Sequence, residues 1–243
     1  LVRFSDEELA RLQGMLAAAD DPEALSRGLI GERVMMLVAF DHPDQMVSGL
    51  NTADEWLPGG KSVAAGLLRM ASTAGGMREK YLAVVGGAID ACRKAPQEAL
   101  PLLQQTAAVI EQDKSLITPL SLGRTAPNFY RAEVQCARSL AMVRSAVTAL
   151  AVERWRLANA GLPENIEGLI PACLFAVQAD PFDGKALRYR KEEGGYAVYS
   201  VGENRVDDEG REGKRKNMDV VFRVVCAAAG AGGSTLPEPC PDK

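Results

Sequence analysis

Oxygen-bearing side chains near the end of the chain offer the clearest candidate chemistry. They fall in or next to a charged segment, residues 202–218, that has no regular hydrophobic pattern. Calcium binds about six to eight hard oxygen atoms, and carboxylates gathered in one irregular loop can supply them. The sequence therefore predicts a calcium site whose side-chain ligands are Asn204, Asp207, Asp208 and Asp219.

The same segment has a purely structural alternative. It does not match the D-x-[DN]-x-[DN]-G template, so it is not an EF-hand. Backbone oxygens near Ser200 or Val201 could add calcium ligands. However, basic side chains nearly cancel the acidic ones and could pair with them instead: Arg205, Arg211, Lys214, Arg215 and Lys216. A calcium loop and a solvated charged loop are both open interpretations at this point.

The sequence D-P-F-D-G at residues 180–184 could form a binding loop, but its composition favours a structural turn. Aspartate side chains accept hydrogen bonds from nearby backbone N–H groups, and glycine adopts a positive φ without steric cost. We therefore expect a turn at this position rather than a ligand site.

Two motifs typical of enzymes are better explained by local structure. G-G-K-S at residues 59–62 is similar to the end of a phosphate-binding P-loop. Glu55 stands where that motif needs its first glycine, and no buried strand precedes it. His42 is the only histidine, so a Ser-His-Asp or Cys-His mechanism would need it. It lies in D-H-P, which we expect to be the end of a helix.

The spacing of apolar residues predicts helices through the first half of the chain. Ser5 and Glu8 form a capping box at the start of the first helix. We expect helices over about residues 5–19, 22–40, 77–94 and 96–112, with a further helical pattern through Leu67, Leu68 and Met70. Residues 115–128 contain two prolines and a glycine, and they are the best candidate for a domain boundary.

The pattern changes after that boundary. The longest helix is expected over about residues 130–159, with an apolar seam at Cys136, Leu140, Val143, Val147 and Leu150. Four arginines fall on or near its other side: Arg131, Arg138, Arg144 and Arg154. A short helix is expected at 164–169. Strands are expected at 187–190, 196–201 and 219–225, the first two joined as a hairpin through residues 191–195.

The predicted fold class is therefore α+β: an all-helical N-terminal region followed by a long helix packed on a small antiparallel sheet. The predicted division places a helical domain at residues 1–125, an α+β module at 126–226 and a Gly/Pro-rich tail at 227–243.

Charge and hydropathy exclude some classes of function. A net charge of −4 and a pI near 5.3 argue against a nucleic-acid binder, which usually has a basic face. No apolar run approaches the roughly 18 residues of a membrane span. Because the chain starts at Leu1, we expect that it was trimmed or that a leader or anchor was removed.

The cysteines do not identify a metal centre. The five of them form no C-x-x-C pair and match no zinc spacing. Cys92 and Cys136 fall in helical patterns and are expected to be small core residues. If the protein is exported, the candidates for a disulfide are Cys173, Cys226 and Cys240.

The order of motifs in the C-terminal part has a recognisable form. The long helix leads to R-L-A-N-A-G-L-P-E-N-I-E-G-L-I-P at 156–171. D-P-F-D-G-K-A-L-R-Y follows at 180–189, G-Y-A-V-Y-S-V-G at 195–202, and then the acidic loop and a last strand. Residues 129–225 thus resemble the globular head of the major pseudopilin of type II secretion systems. That family has N-G-x-Y-P, D-P-W-G-x-P-Y-x-Y and Y-x-L-Y-S-x-G in the same order.

This resemblance implies an antiparallel sheet of three or four strands packed on the helix, and a calcium ion that holds the loop after Y-S-x-G. Residues 1–128 match neither a prepilin leader nor an apolar N-terminal helix, and we expect a large helical region in the place of the pilin stem. We therefore expect a protein that carries the head module rather than a filament subunit.

Three hypotheses follow. The first is a non-catalytic binding or scaffolding protein of the cell envelope, periplasmic or otherwise extracytoplasmic, with a calcium-stabilised head and an unidentified protein partner. The second is a hydrolase with its active site between the helical half and the head. The third is a helical adaptor whose groove, within residues 1–125, binds a partner helix.

Overall fold

The computed structural model describes residues 4–42, 77–112, 122–211 and 218–225 of the 243-residue chain. Across these residues the chain forms five α-helices and a three-stranded sheet, so the fold is α+β with a helical majority. The helices are α1 (Asp6–Ala17), α2 (Ala24–Asp41), α3 (Met77–Cys92), α4 (Pro96–Gln112) and α5 (Leu122–Asn159). The strands are β1 (Arg188–Glu192), β2 (Gly195–Ser200) and β3 (Val220–Val225).

The helices of the N-terminal half form where the apolar spacing predicts them. At the start of α1, the Ser5 hydroxyl accepts a hydrogen bond from the backbone N–H of Glu8, and the Glu8 carboxylate accepts one from the Ser5 backbone. This confirms the capping box. The predicted helical pattern through Leu67, Leu68 and Met70 lies outside the described residues. None of the helices in the described ranges is long and apolar enough to cross a membrane.

Helix α5 begins at Leu122, inside the segment 115–128 that the sequence suggests as a boundary. The expected start near residue 130 is therefore wrong. Gly123 and Pro127 weaken a helix, but a proline in the second turn removes only one backbone hydrogen bond. The division of the chain at residue 125 itself stays a prediction.

The sheet is antiparallel, with β2 between β1 and β3. The order of the three strands confirms the prediction, but the loop predicted at 191–195 is too long. Lys191 pairs with Tyr196 and Glu192 with Gly195, leaving only residues 193 and 194 in the turn. Gly194, the second residue of the turn, has a φ of +76°, which glycine adopts without steric cost.

The long helix is the centre of the packing. It packs on β2, β3, α1 and α4, and Val134 and Ala137 share one apolar cluster with Leu100 of α4 and Val220 of β3. The Tyr196 hydroxyl donates a hydrogen bond of 2.9 Å to the backbone oxygen of Ala149 and so joins the sheet to the helix. Leu140 and Val147 of the predicted seam are buried. The buried surface is wider than one stripe, because α5 has neighbours on several sides.

Helix α1 and the residues just after it cover two arginines of α5 that the sequence places away from the apolar seam. The Arg144 guanidinium pairs with Asp20, with its side chain 15% exposed. Arg154 pairs with Asp6, with its side chain 19% exposed. Both therefore lie under α1 and hold it on α5, a contact between residues more than 120 positions apart that helix periodicity cannot reveal.

The helical core contains a buried acid. Glu133 lies on α5 and is only 2% exposed, and its carboxyl accepts a hydrogen bond from the thiol of Cys92, the last residue of α3. Burial raises the pKa of the Glu133 carboxyl, and the hydrogen bond opposes this rise. Burial, together with the neighbouring Glu133, raises the pKa of Cys92 to about 12, so this thiol is a protonated core residue.

We expect Glu133→Gln to remove a pH dependence of stability. A carboxyl whose pKa is higher in the folded than in the unfolded protein contributes to the free energy of unfolding in full below its unfolded-state pKa. That stabilisation is lost as the pH rises through the folded-state pKa. A rise of one pKa unit corresponds to about 1.4 kcal/mol. In thermal melts across a pH series, the variant should gain melting temperature relative to the unsubstituted protein. This gain should begin near pH 4.5, the ordinary pKa of glutamate, and grow as the pH rises.

Glu98→Gln is the matched control, because Glu98 is an exposed acid of the adjacent helix α4. Its melting temperature should follow that of the unsubstituted protein at every pH. A Glu133→Gln profile parallel to the unsubstituted one would show that the buried carboxyl does not govern stability in this range.

Candidate functional site

The turn at residues 180–184 fixes the place where the candidate loop begins. Asp180 is fully buried, and its Oδ1 accepts hydrogen bonds from the backbone N–H of Phe182 at 2.9 Å and from the Ser200 hydroxyl at 2.7 Å. Its Oδ2 accepts from the backbone N–H of Val201 at 2.9 Å and from Arg188 at 2.8 Å. One carboxylate therefore ties the turn to the end of β2.

The expected structural turn is present. Gly184 has a φ of +74°, and its backbone N–H donates to the Asp180 carbonyl oxygen at 2.9 Å. Arg188 pairs with both acids of the turn, at 2.8 Å to Asp180 and 2.5 Å to Asp183. These contacts of Asp180, Asp183 and Gly184 are all within the protein and stabilise the fold. This is the structural role that the sequence favours for D-P-F-D-G.

The candidate loop leaves β2 at Gly202 and returns to β3 through Asp219. Gly202 has a φ of +66°, and a Cβ there would lie 2.5 Å from the carbonyl oxygen of Met218, so the two ends of the loop approach closely. Asp219 is 7% exposed and accepts hydrogen bonds from the backbone N–H of Asp208 at 3.3 Å and of Gly210 at 2.7 Å. The Asp219 carboxylate thus closes the described part of the loop.

The other three predicted ligands lie in the same loop. The amide of Asn204 donates to a carboxylate oxygen of Asp208 at 2.9 Å. Asp207 accepts hydrogen bonds from the Tyr199 hydroxyl at 3.1 Å and from the backbone N–H of Glu209 at 2.9 Å. The structure therefore gathers all four predicted residues between the end of β2 and the start of β3.

The loop concentrates negative charge. Burial raises the pKa of Asp219, and the charges of Asp207 and Asp208 raise it further, while the two backbone hydrogen bonds lower it. Tyr199 faces the same group: burial and then the neighbouring Asp207 raise its pKa to about 12. The negative charges of Asp207 and Asp208 next to Asp219 make an environment that favours a cation.

The basic side chains described in this loop make other contacts. Arg205 donates to the backbone oxygen of Gln97 at 3.1 Å, and Arg211 pairs with Glu209 at 3.4 Å. Lys214, Arg215 and Lys216 lie outside the described residues. Arg223, on β3, donates to the backbone oxygen of Gly210 and pairs with Glu192. In these contacts, neither of the two described loop arginines pairs with Asp207, Asp208 or Asp219.

The donor set has the chemistry that calcium needs, since three carboxylates and an amide oxygen are hard ligands. Among residues 4–42, 77–112, 122–211 and 218–225, no group of three acidic, histidine or cysteine side chains is placed to hold a metal ion. Both Asp219 oxygens accept backbone N–H groups, so the loop is closed by hydrogen bonds.

The remaining candidate residues lie apart from this loop. His42 is exposed and follows α2 directly, and its backbone N–H donates to the carbonyl oxygen of Val38, which confirms the expected helix end. The G-G-K-S motif at 59–62 lies outside the described residues, as do Cys226 and Cys240. Cys173 is a half-buried free thiol.

Sequence reasoning missed the residues that connect the N-terminal helix to the turn at 180–184. Arg144 pairs with Asp20 through two hydrogen bonds, of 2.9 and 3.0 Å, and donates to the backbone oxygen of Ala179 at 2.8 Å. No local pattern marks this contact. Glu133 had a weak signal, because it lies three residues before Cys136 and continues the apolar seam by one turn.

We expect Asp180→Asn to destabilise the fold by about 3 kcal/mol, because an NH₂ group would replace an oxygen toward which buried donors point and would leave Arg188 short of a counter-charge. Asp183→Asn is the control in the same turn. Asp183 is less buried than Asp180, and its loss should cost about 1 kcal/mol. Denaturant unfolding measures both free energies, and equal losses would contradict the central role of Asp180.

Comparison with known proteins found no match to this chain: no protein-family model, no curated protein and no solved structure is detectably similar to it.

Proposed function

We propose that this chain is a non-catalytic binding or scaffolding protein of the cell envelope with a pseudopilin-like α+β module that calcium stabilises. The observation that carries the proposal is the acidic loop between β2 and β3, in which the Asp219 carboxylate accepts backbone hydrogen bonds from Asp208 and Gly210 and so draws the acidic loop back to β3. The proposed place of action is the periplasm or another extracytoplasmic compartment.

The arrangement of the module supports this proposal. A long amphipathic helix packs on an antiparallel sheet, and the acidic loop follows the Y-S-x-G sequence at the end of β2. This is the order that the pseudopilin resemblance implies. The Asp180 turn holds Ser200 and Val201 in place, so the loop starts from a rigid point.

Calcium would be held by Asp207, Asp208 and Asp219, with the amide oxygen of Asn204 as a further ligand. When bound, the ion supplies positive charge to the three acids and ties the loop to β3. The residues themselves already tie the loop through Asp219, which keeps both ends together before an ion binds. The proposed role is therefore structural, and the protein partner would be recognised by the stabilised module.

We expect calcium to raise the melting temperature of the protein relative to the same protein in chelator. A ligand at a hundred times its dissociation constant adds about 2.7 kcal/mol. For a domain of about 100 residues, this corresponds to roughly ten degrees. Replacing Asp207 and Asp208 together by Asn should abolish the shift. In chelator the double variant should be at least as stable as the unsubstituted protein, because it removes two charges that repel Asp219.

Glu209→Gln is the matched control, since Glu209 is an acid of the same loop that pairs with Arg211 and is not among the predicted ligands. Its calcium shift should persist. An unsubstituted protein that melts at the same temperature in calcium and chelator would contradict the calcium role. That result would favour the helical adaptor instead, for which α2 offers exposed Val34, Met35 and Val38.

A further inference from the structure

The surface segment at residues 170–177 forms an apolar patch directly after the 3₁₀ helix Glu167–Leu169. The Phe175 side chain is 99% exposed, and that of Ile170 is 40% exposed. The exposed residues of the segment are all apolar: Ile170, Pro171, Ala172, Phe175 and Ala176. No residue from 168 to 179 carries a charge. Exposed apolar patches of this kind are typical of interaction surfaces.

Residues on both sides of the patch anchor it to the protein. Leu169 and Leu174 are buried in the apolar cluster that joins α5 to the sheet, at 0% and 3% exposed. The amide of Gln13 in α1 donates a hydrogen bond of 2.9 Å to the backbone oxygen of Cys173. Because Leu174 packs in the core at this point, the adjacent Phe175 lies outside it. The protein thus presents the Phe175 ring from an anchored backbone.

The backbone of the segment is suited to an apolar environment. The N–H groups of Ile170, Cys173 and Leu174 donate to carbonyl oxygens of the preceding 3₁₀ helix, over 2.8 to 3.1 Å. Pro171 has no N–H group. An unpaired backbone group is costly to remove from water, so these internal hydrogen bonds lower the cost of moving the segment into a less polar phase.

The side chains of the patch favour lipid over a protein partner. Protein interfaces combine an apolar centre with about one hydrogen bond per 100–200 Å². From residue 168 to residue 177, the Cys173 thiol is the one polar side-chain group. The interfacial region of a bilayer accepts apolar and aromatic side chains without such specific polar partners.

We propose that residues 170–177 form a membrane-binding loop, which inserts Phe175 and Ile170 into the interfacial region of a lipid bilayer. The bilayer is zwitterionic, because a chain with a net charge of −4 gains no attraction from an anionic surface. Binding is shallow and reversible, since even one myristoyl chain gives only marginal attachment. This inference goes beyond the proposed function and does not depend on calcium.

The first test is co-sedimentation of the full chain with phosphatidylcholine vesicles in chelator. We expect an apparent dissociation constant on the order of millimolar lipid. Phe175→Ala should weaken this binding by about tenfold or more. Its melting temperature should stay unchanged, because Phe175 is almost fully exposed. Met142→Ala is the matched control: Met142 is a 42% exposed side chain of α5 outside the patch, and this variant should bind like the unsubstituted chain.

Three outcomes of this test would overturn the proposal. The first is no sedimentation of the unsubstituted chain at millimolar lipid. The second is equal binding by Phe175→Ala. The third is binding that appears only when phosphatidylglycerol is added and persists in Phe175→Ala, which would assign attachment to charged groups elsewhere.

A second measurement reports insertion directly. In Phe175→Trp, the fluorescence emission should shift to shorter wavelength when phosphatidylcholine vesicles are added. The unsubstituted chain, with its own two tryptophans, provides the background. An emission that does not change beyond this background would contradict insertion of the loop. Because both measurements are made in chelator, their failure leaves the calcium experiment unaffected.

Discussion

A carboxylate that is removed from water must have its oxygens satisfied, and Asp180 meets this constraint with partners from three parts of the module. Its four hydrogen bonds come from its own turn, from β1 and from the end of β2. A buried charge with this many donors is far less costly than one left unpaired. The position of the end of β2, and of the loop that follows it, depends on this one group.

The candidate loop is the first element that depends on it. Because Asp180 holds Ser200 and Val201, β2 ends at a defined point and Gly202 turns the chain with a positive φ. The loop then returns to β3, where Asp219 accepts two backbone N–H groups. Two aspartates thus fix the two ends of one loop. Asp180 is fully buried and fully hydrogen-bonded, whereas the pKa of Asp219 is raised by burial and by its acidic neighbours.

The long helix α5 connects the turn at 180–184 to the N-terminal part of the chain. Arg144 lies between Asp20 and the backbone oxygen of Ala179, directly before Asp180. The connection after α1 and the turn at 180–184 therefore share one guanidinium. Together with the packing of Leu9 and Leu16, this contact gives α1 a defined place on the C-terminal module.

Local physics predicted much of this structure from sequence. The capping box of Ser5 and Glu8, the strand-forming residues of G-Y-A-V-Y-S, and the turn chemistry of D-P-F-D-G each act within a few residues, so their outcomes could be stated in advance. The gathering of Asn204, Asp207, Asp208 and Asp219 was also predictable, because the residues lie in or beside one loop between two predicted strands. Their calcium binding stays a prediction.

Other features were decided by contacts between distant residues. Helix periodicity put Arg144 and Arg154 away from the apolar seam, yet both are largely buried by α1. Gly123 and Pro127 indicated a break where α5 is helical. The sequence by itself determined the elements and the composition of the candidate loop, since local backbone preferences and side-chain periodicity decide these. Only the tertiary structure decided which charges were paired, because ion pairs such as Asp20 with Arg144 join segments whose separation along the chain carries no local signal.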